Sequence, residues 1–203
     1  MTGTLQTLIE ILTQVLAQLQ VPIPPDALED LAITVHRAMT GPSRLYHSLE
    51  HALGFWDPGN PIQTIAALYH DIVYYHVDMG YQTEIEGVIS PYLVTDGETI
   101  VLTAVPLPGD RIYNLTLAVF GFLPGQTISL ENGLNEFLSS LFMNKKLQVY
   151  LDEITLLRLT LCIEASIPFR PTDHFYQLED RVFELNRQFN LGLQPAEILD
   201  MIR

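Results

Sequence analysis

Apolar residues recur at helical spacing through most of this chain, and proline punctuates the recurrence. Leu5, Leu8, Ile9, Leu12, Val15, Leu16 and Leu19 fall on one face of a helix expected over residues 4–20. A repeat of 3.6 residues per turn brings such positions into a single stripe. Pro22, Pro24 and Pro25 stop this run, and Asp26 leads into a second through Leu28, Leu31, Val35 and Met39, closed by Gly41 and Pro42.

Residues 43–56 read as a third helix with Ser43 as its N-cap. The cluster Asp57-Pro58-Gly59-Asn60 is a turn, and Pro61 opens a fourth helix expected over 61–75. Helical patterning returns near 130–150, 152–166 and 172–190, with a short helix after Pro195. Between these lies a different stretch, residues 85–128. Asp96-Gly97 is a hairpin-type turn signal, and Thr99-Ile100-Val101-Leu102-Thr103 reads as a strand, while residues 111–122 fit a helix as well. The chain therefore reads as one mostly α domain over residues 1–203, a helical bundle with 85–128 as an insertion of β-hairpin character. At 44 residues the insertion is too short to bury a core alone, and it follows the fourth helix directly. It is expected to cover the cleft beside that helix; packing on the far side or an oligomer contact is the alternative.

Composition narrows the partners. The chain has 203 residues, with 24 acidic against 10 basic side chains and a net charge of −14. That field repels polyanions and argues against duplex nucleic acid, which needs clustered Lys and Arg. The single cysteine, Cys162, can form no intramolecular disulfide and reads as a buried, inert thiol. No basic leader with a cleavage site and no uninterrupted run of about 18 apolar residues is present, so a cytoplasmic protein without a membrane span is expected. Homo-oligomerisation stays open.

Four of the six histidines fall within thirty residues, at positions 47, 51, 70 and 76. On a helix, His47 and His51 at i, i+4 share a face one turn apart, a spacing that suits a common metal or a common anion, and equally a pair of core or surface residues. His70-Asp71 interrupts the apolar run Ile65-Ala66-Ala67-Leu68-Tyr69 … Ile72-Val73-Tyr74. A carboxylate there is costly to bury unless it is paired or ligates a cation. The bland alternative is an exposed polar stripe. Adjacent helical residues diverge by about 100°, so an ion served by both must sit beside the helix.

Arg44-Leu45-Tyr46-His47-Ser48-Leu49-Glu50-His51, followed after eighteen residues by His70-Asp71, resembles the HD superfamily of metal-dependent phosphohydrolases. The Arg-x-x-His-Ser-Leu form resembles its nucleotidase branch. The Tyr-His-x-x-x-His form with Tyr-His-Asp resembles a less studied group of metal-dependent HD proteins. The match covers residues 43–76 and is diffuse beyond them. The resemblance implies an HD-like helical fold and metal ligation by His47, His70 and Asp71. It also implies a distant aspartate on a later helix. Asp180, between Leu178 and Val182, is the preferred candidate; Asp173 and Asp152 both also read as helix N-caps. Nitrogen and carboxylate donors suit Mn, Fe, Co, Ni, Zn or Mg without singling one out. His51 is then an auxiliary ligand, a ligand of a second metal or a phosphate-binding group. Asn135-Glu136 and the helix end Ile163-Glu164-Ala165-Ser166 echo the same less studied group.

The activity so implied is hydrolysis of a small phosphate ester or nucleotide. Arg44 is expected to hold phosphate with its planar guanidinium, with a surface position or a salt bridge to Glu50 or Asp71 as the alternative. His51 or Glu136 is expected to act as general acid or base. Two competing expectations remain: a non-catalytic HD module binding a nucleotide or protein, and a di-iron HD-type oxygenase drawing extra ligands from His51 and His76.

Overall fold

A computed structural model describes residues 2–41, 44, 47–75, 82–96, 99–103, 109–168, 170–171 and 173–202. Ser43, His76 and Gly97, singled out above, lie outside them. Among the described residues the chain is mostly helical, with a small antiparallel sheet.

The first two helices, α1 (Thr2–Gln18) and α2 (Pro25–Met39), pack against each other. Leu8, Leu12, Val15 and Leu16 of α1 and Leu31, Val35 and Met39 of α2 are buried, as their spacing demands. Next come α3 (Leu49–Leu53) and α4 (Pro61–Tyr69). Asn60 caps α4 by accepting from the Gln63 amide at 3.0 Å, and Pro61 fills the first helical position.

Both of these helices are shorter than the sequence suggested, α3 for a local reason and α4 for a long-range one. Ser48 is extended and caps α3, its hydroxyl accepting from the His51 amide, so His47 precedes the helix instead of riding on it. Helix α4 ends at Tyr69, and residues 70–75 turn away from it. Their backbone groups bond to side chains from elsewhere in the fold, which compete successfully with continued helix.

The segment 85–128 is threaded into the core and does not form a separate cover. It holds most of α5 (Thr83–Ile89), the hairpin β1 (Leu93–Asp96) and β2 (Thr99–Leu102), and α6 (Arg111–Phe120), followed by β3 (Thr127–Ile128). The strand order is β1-β2-β3, with Leu93 opposite Leu102 and Ile100 opposite Ile128. Ile100 and Leu102 turn inward at the strand period of two. Asp110 caps α6 by accepting from the Tyr113 amide at 3.0 Å. Helix α6 then buries Tyr113, Leu115, Leu117, Val119 and Phe120 against the helices that follow. Its apolar positions lie on more than one face, so it needs partners on several sides and occupies the interior.

Those partners are α7 (Leu134–Leu147), α8 (Glu153–Ala165) and α9 (His174–Gln188); α10 (Pro195–Ile202) packs on α9. Helix α8 lies at the centre, against α4, α6 and α7. Buried Asn144 of α7 donates to Thr116 Oγ1 on α6 at 2.9 Å and to Thr160 Oγ1 on α8 at 2.8 Å, tying three helices at one point. No described helix is long and apolar enough to cross a membrane.

Candidate metal centre

The turn after α4 brings His70 and Asp71 face to face. Asp71 Oδ2 lies 2.8 Å from His70 Nε2 and 2.6 Å from His47 Nδ1. His47, His51 and Asp71 each offer a donor atom within 4.8 Å of the others. The rings of His51 and His70 are 5.7 Å apart and those of His47 and His51 5.9 Å apart, so the three imidazoles surround the carboxylate. Asp71 is buried, with 6% of its side chain exposed, whereas His47 keeps 36%. The carboxylate thus lies at the floor of the group, with imidazole edges above it.

Proton placement on His70 makes this group chemically informative. Nδ1 lies 2.8 Å from the Ala67 carbonyl, which can only accept, so Nδ1 carries hydrogen. In a neutral imidazole Nε2 would then present a lone pair to the carboxylate oxygen of Asp71. That contact is repulsive unless a positive charge, a second proton or a metal cation, stands between them. Burial opposes charge on both residues. The hydrogen bond and charge of Asp71 nevertheless raise the His70 pKa, and the bonds from His70 and His47 lower that of Asp71. An imidazole donating Nδ1–H to a backbone carbonyl while directing Nε2 at a shared point is the usual support of a metal-ligating histidine.

The floor is fixed from three directions. Arg44, buried and 5.6 Å from the Tyr74 ring centre, donates from Nη1 to the Asp71 carbonyl at 2.6 Å and from Nη2 to the Ile72 carbonyl at 3.3 Å. Ser139 Oγ on α7 accepts from the Val73 amide at 3.1 Å, and Asn135 Oδ1, one turn earlier, accepts from the Tyr75 amide at 3.2 Å. The Tyr74 ring stacks on His47 at 4.4 Å between centres. Two of the Arg44 nitrogens are therefore engaged in holding the doublet's backbone.

Of the residues expected at the site, Arg44, His47, His51, His70 and Asp71 come together. Glu136 on α7 stands within electrostatic reach: burial and the charge of Asp71 raise its pKa, and His70 acts on it in the opposite sense. Asp180 does not join the donors. It is exposed on α9, a helix packed against α6 and α10. Asp152 is the N-cap of α8, accepting from the Thr155 amide at 2.7 Å. Asp173 is exposed and accepts from the Gln177 side chain at 2.9 Å.

The roles of Asn135, Ser139 and Tyr74 escaped the sequence reading. The i, i+4 spacing of Asn135 and Ser139, which share one face of α7, was the available signal. A buried carboxylate, Glu164, escaped it too. Fully enclosed on α8, it contacts Arg170 at 2.9 Å, His174 at 2.9 Å and Arg181 at 3.7 Å. Ion pairing on this scale is what keeps such a charge inside.

No known family, characterised protein or solved structure matches the chain.

Proposed function

We propose that this chain is a metal-dependent phosphohydrolase of HD type acting on a small phosphate ester or nucleotide. One observation carries the reading: a single oxygen of Asp71 takes two imidazole nitrogens, at 2.6 and 2.8 Å, one of them from a histidine whose other nitrogen is already committed to a carbonyl. His47, His70 and Asp71 would hold the cation, with His51 beside them. Bound there, a divalent cation supplies Lewis acidity toward phosphoryl oxygen and brings the pKa of water towards neutrality. His51 is exposed and unburdened by a short ion pair among the described residues, so it suits proton transfer at the mouth. Glu136, with its raised pKa, suits the same task from the α7 side.

Metal quantification on protein purified without chelators tests this, followed by a hydrolysis screen over phosphate esters and nucleotides with several divalent ions. Bound metal at one equivalent with cleavage of at least one ester is expected. Protein that retains no metal and cleaves nothing would overturn the reading. The exposed position of Asp180 favours a second reading, a non-catalytic module with this fold, which predicts that outcome. Two equivalents of iron with a visible absorption band would instead indicate an oxygenase.

A further inference from the structure

His70 belongs to two environments. Its Nε2 faces Asp71, and its ring also forms part of the wall of a cavity of about 150 Å³ between α4 and α8. Ala66 and Ala67 open the α4 wall by their small size, Ile163 and Ser166 form the α8 wall, and Phe55 flanks the space. The Phe55 ring stands edge-on to His51, 5.0 Å between centres, so the cavity is continuous with the donor group.

The lining is mostly apolar, and the exposed Gln63 amide at its edge is its main polar group besides His70. The Ser166 hydroxyl already donates to the Ile163 carbonyl at 2.7 Å, and burial raises the pKa of Cys162, the thiol on the same wall. A nucleobase would bring more hydrogen-bonding groups than Gln63 and His70 could satisfy, and each group buried there without a partner costs roughly 1–3 kcal/mol. A hydrocarbon ring loses nothing there. A space of about 150 Å³ is large enough for one benzene-sized ring.

We propose that this cavity binds the organic part of the substrate, and that this part is a single apolar group about the size of one ring, as in an aryl or short branched alkyl phosphate. The proposal rests on the phosphohydrolase reading for the phosphate end only. With phosphate at the histidine–aspartate group, an aryl substituent reaches across His70 into the space beside Ala67.

Binding of two non-hydrolysable phosphonates to the metal-loaded protein tests it, with toluene as a phosphate-free probe of the cavity. Phenylphosphonate should bind about tenfold or more tightly than methylphosphonate, from the added apolar burial. Ala67→Leu, which fills the space from α4, should erase that difference and leave methylphosphonate affinity and metal content unchanged. Ser166→Leu, from the opposite wall, should do the same if the first variant folds poorly. Equal binding of the two phosphonates in the wild type, or a preference that survives both substitutions, would overturn the cavity assignment. Failure of both phosphonates while toluene still perturbs the Ala67 and Ile163 methyl resonances would overturn the phosphohydrolase reading and keep the cavity as an apolar ring site.

Discussion

His70 Nε2 and Asp71 Oδ2, on consecutive residues, lie 2.8 Å apart. Consecutive side chains on a helix diverge by about 100°, and here they converge at the end of α4, where His70 is the C-cap and still keeps helical backbone. The helix ends at Tyr69, and the chain after it is held by Arg44, Ser139 and Asn135.

Removing either member of the doublet should remove the metal. His70→Ala and Asp71→Ala are each expected to lower metal affinity by more than about a hundredfold, beyond the usual effect of losing a supporting contact. Far-ultraviolet circular dichroism should stay helical. Wild-type metal content in both purified variants, measured by elemental analysis, would remove these residues from the site.

The supporting contacts predict a second, graded effect. Ser139→Ala leaves the Val73 amide without its partner in a buried place, at a cost of roughly 1–3 kcal/mol. It should also loosen the turn that aims Asp71, lowering metal affinity about tenfold or more. Urea unfolding and metal titration read the two effects separately. A loss of stability with metal affinity unchanged would show that α7 only braces the fold.

The two halves of the site differ in how far sequence could disclose them. The residue types were legible because a carboxylate in Ile65–Tyr74 surroundings demands a counter-charge. Their geometry was not. Periodicity carried the third helix back through His47, yet Ser48 caps it, and an Ser-Leu pair in mid-pattern reads equally as helix or cap. It also carried the fourth helix through Tyr75, because Ile72 and Val73 are as apolar as the residues before them; the interruption comes from Ser139 and Asn135, 66 and 60 residues from the amides they bind. The strand at 99–102 was legible from β-branched alternation, and α6 only as an alternative. Its location in the interior follows from its contacts with α7, α8 and α9, which no local pattern encodes.

Acid should destabilise the fold through Asp110. Burial opposes its ionisation, but the bonds from Lys145, from the Tyr92 hydroxyl and from the Tyr113 amide hold its pKa below the ordinary value. A carboxyl with a depressed folded-state pKa contributes stability that is present above its unfolded pKa and is lost as pH falls through the folded one. Urea midpoints should therefore drop between neutral pH and pH about 3. Asp110→Asn should flatten that part of the dependence. An identical pH profile in the variant would assign the acid sensitivity elsewhere.

Gly133, between a 3-10 turn at Leu130–Asn132 and α7, has φ +93°, and a Cβ there would meet Ile167 Cδ1 at 2.6 Å. Gly133→Ala should thus cost more than the roughly 1–2 kcal/mol of a left-handed alanine. Ile167→Val removes the obstructing carbon at about 0.5–1.5 kcal/mol by itself. The double variant should be more stable than the sum of the single losses predicts. Strict additivity in urea unfolding would mean that backbone conformation alone sets the cost.

The acid that moves protons at the site should be on α7, and the acid on α9 should not touch the metal. Asp180 is exposed and stands on a helix that packs with α6 and α10, and its loss removes no charge from the donor group. Asp180→Asn should leave the metal titration curve superimposable on the wild type. Glu136 is half-buried on α7, and burial, with the charge of Asp71, raises its pKa. Glu136→Gln keeps the shape and removes the proton-transfer group. It should leave bound metal near one equivalent while lowering kcat by about a hundredfold, the usual scale of a general acid or base. KM for the best ester found in the screen should change little, because the substitution leaves the imidazoles and the Ala66–Ala67 wall in place. A Glu136→Gln enzyme with wild-type kcat would remove Glu136 from proton transfer, and an Asp180→Asn protein that has lost its metal would place a ligand on α9.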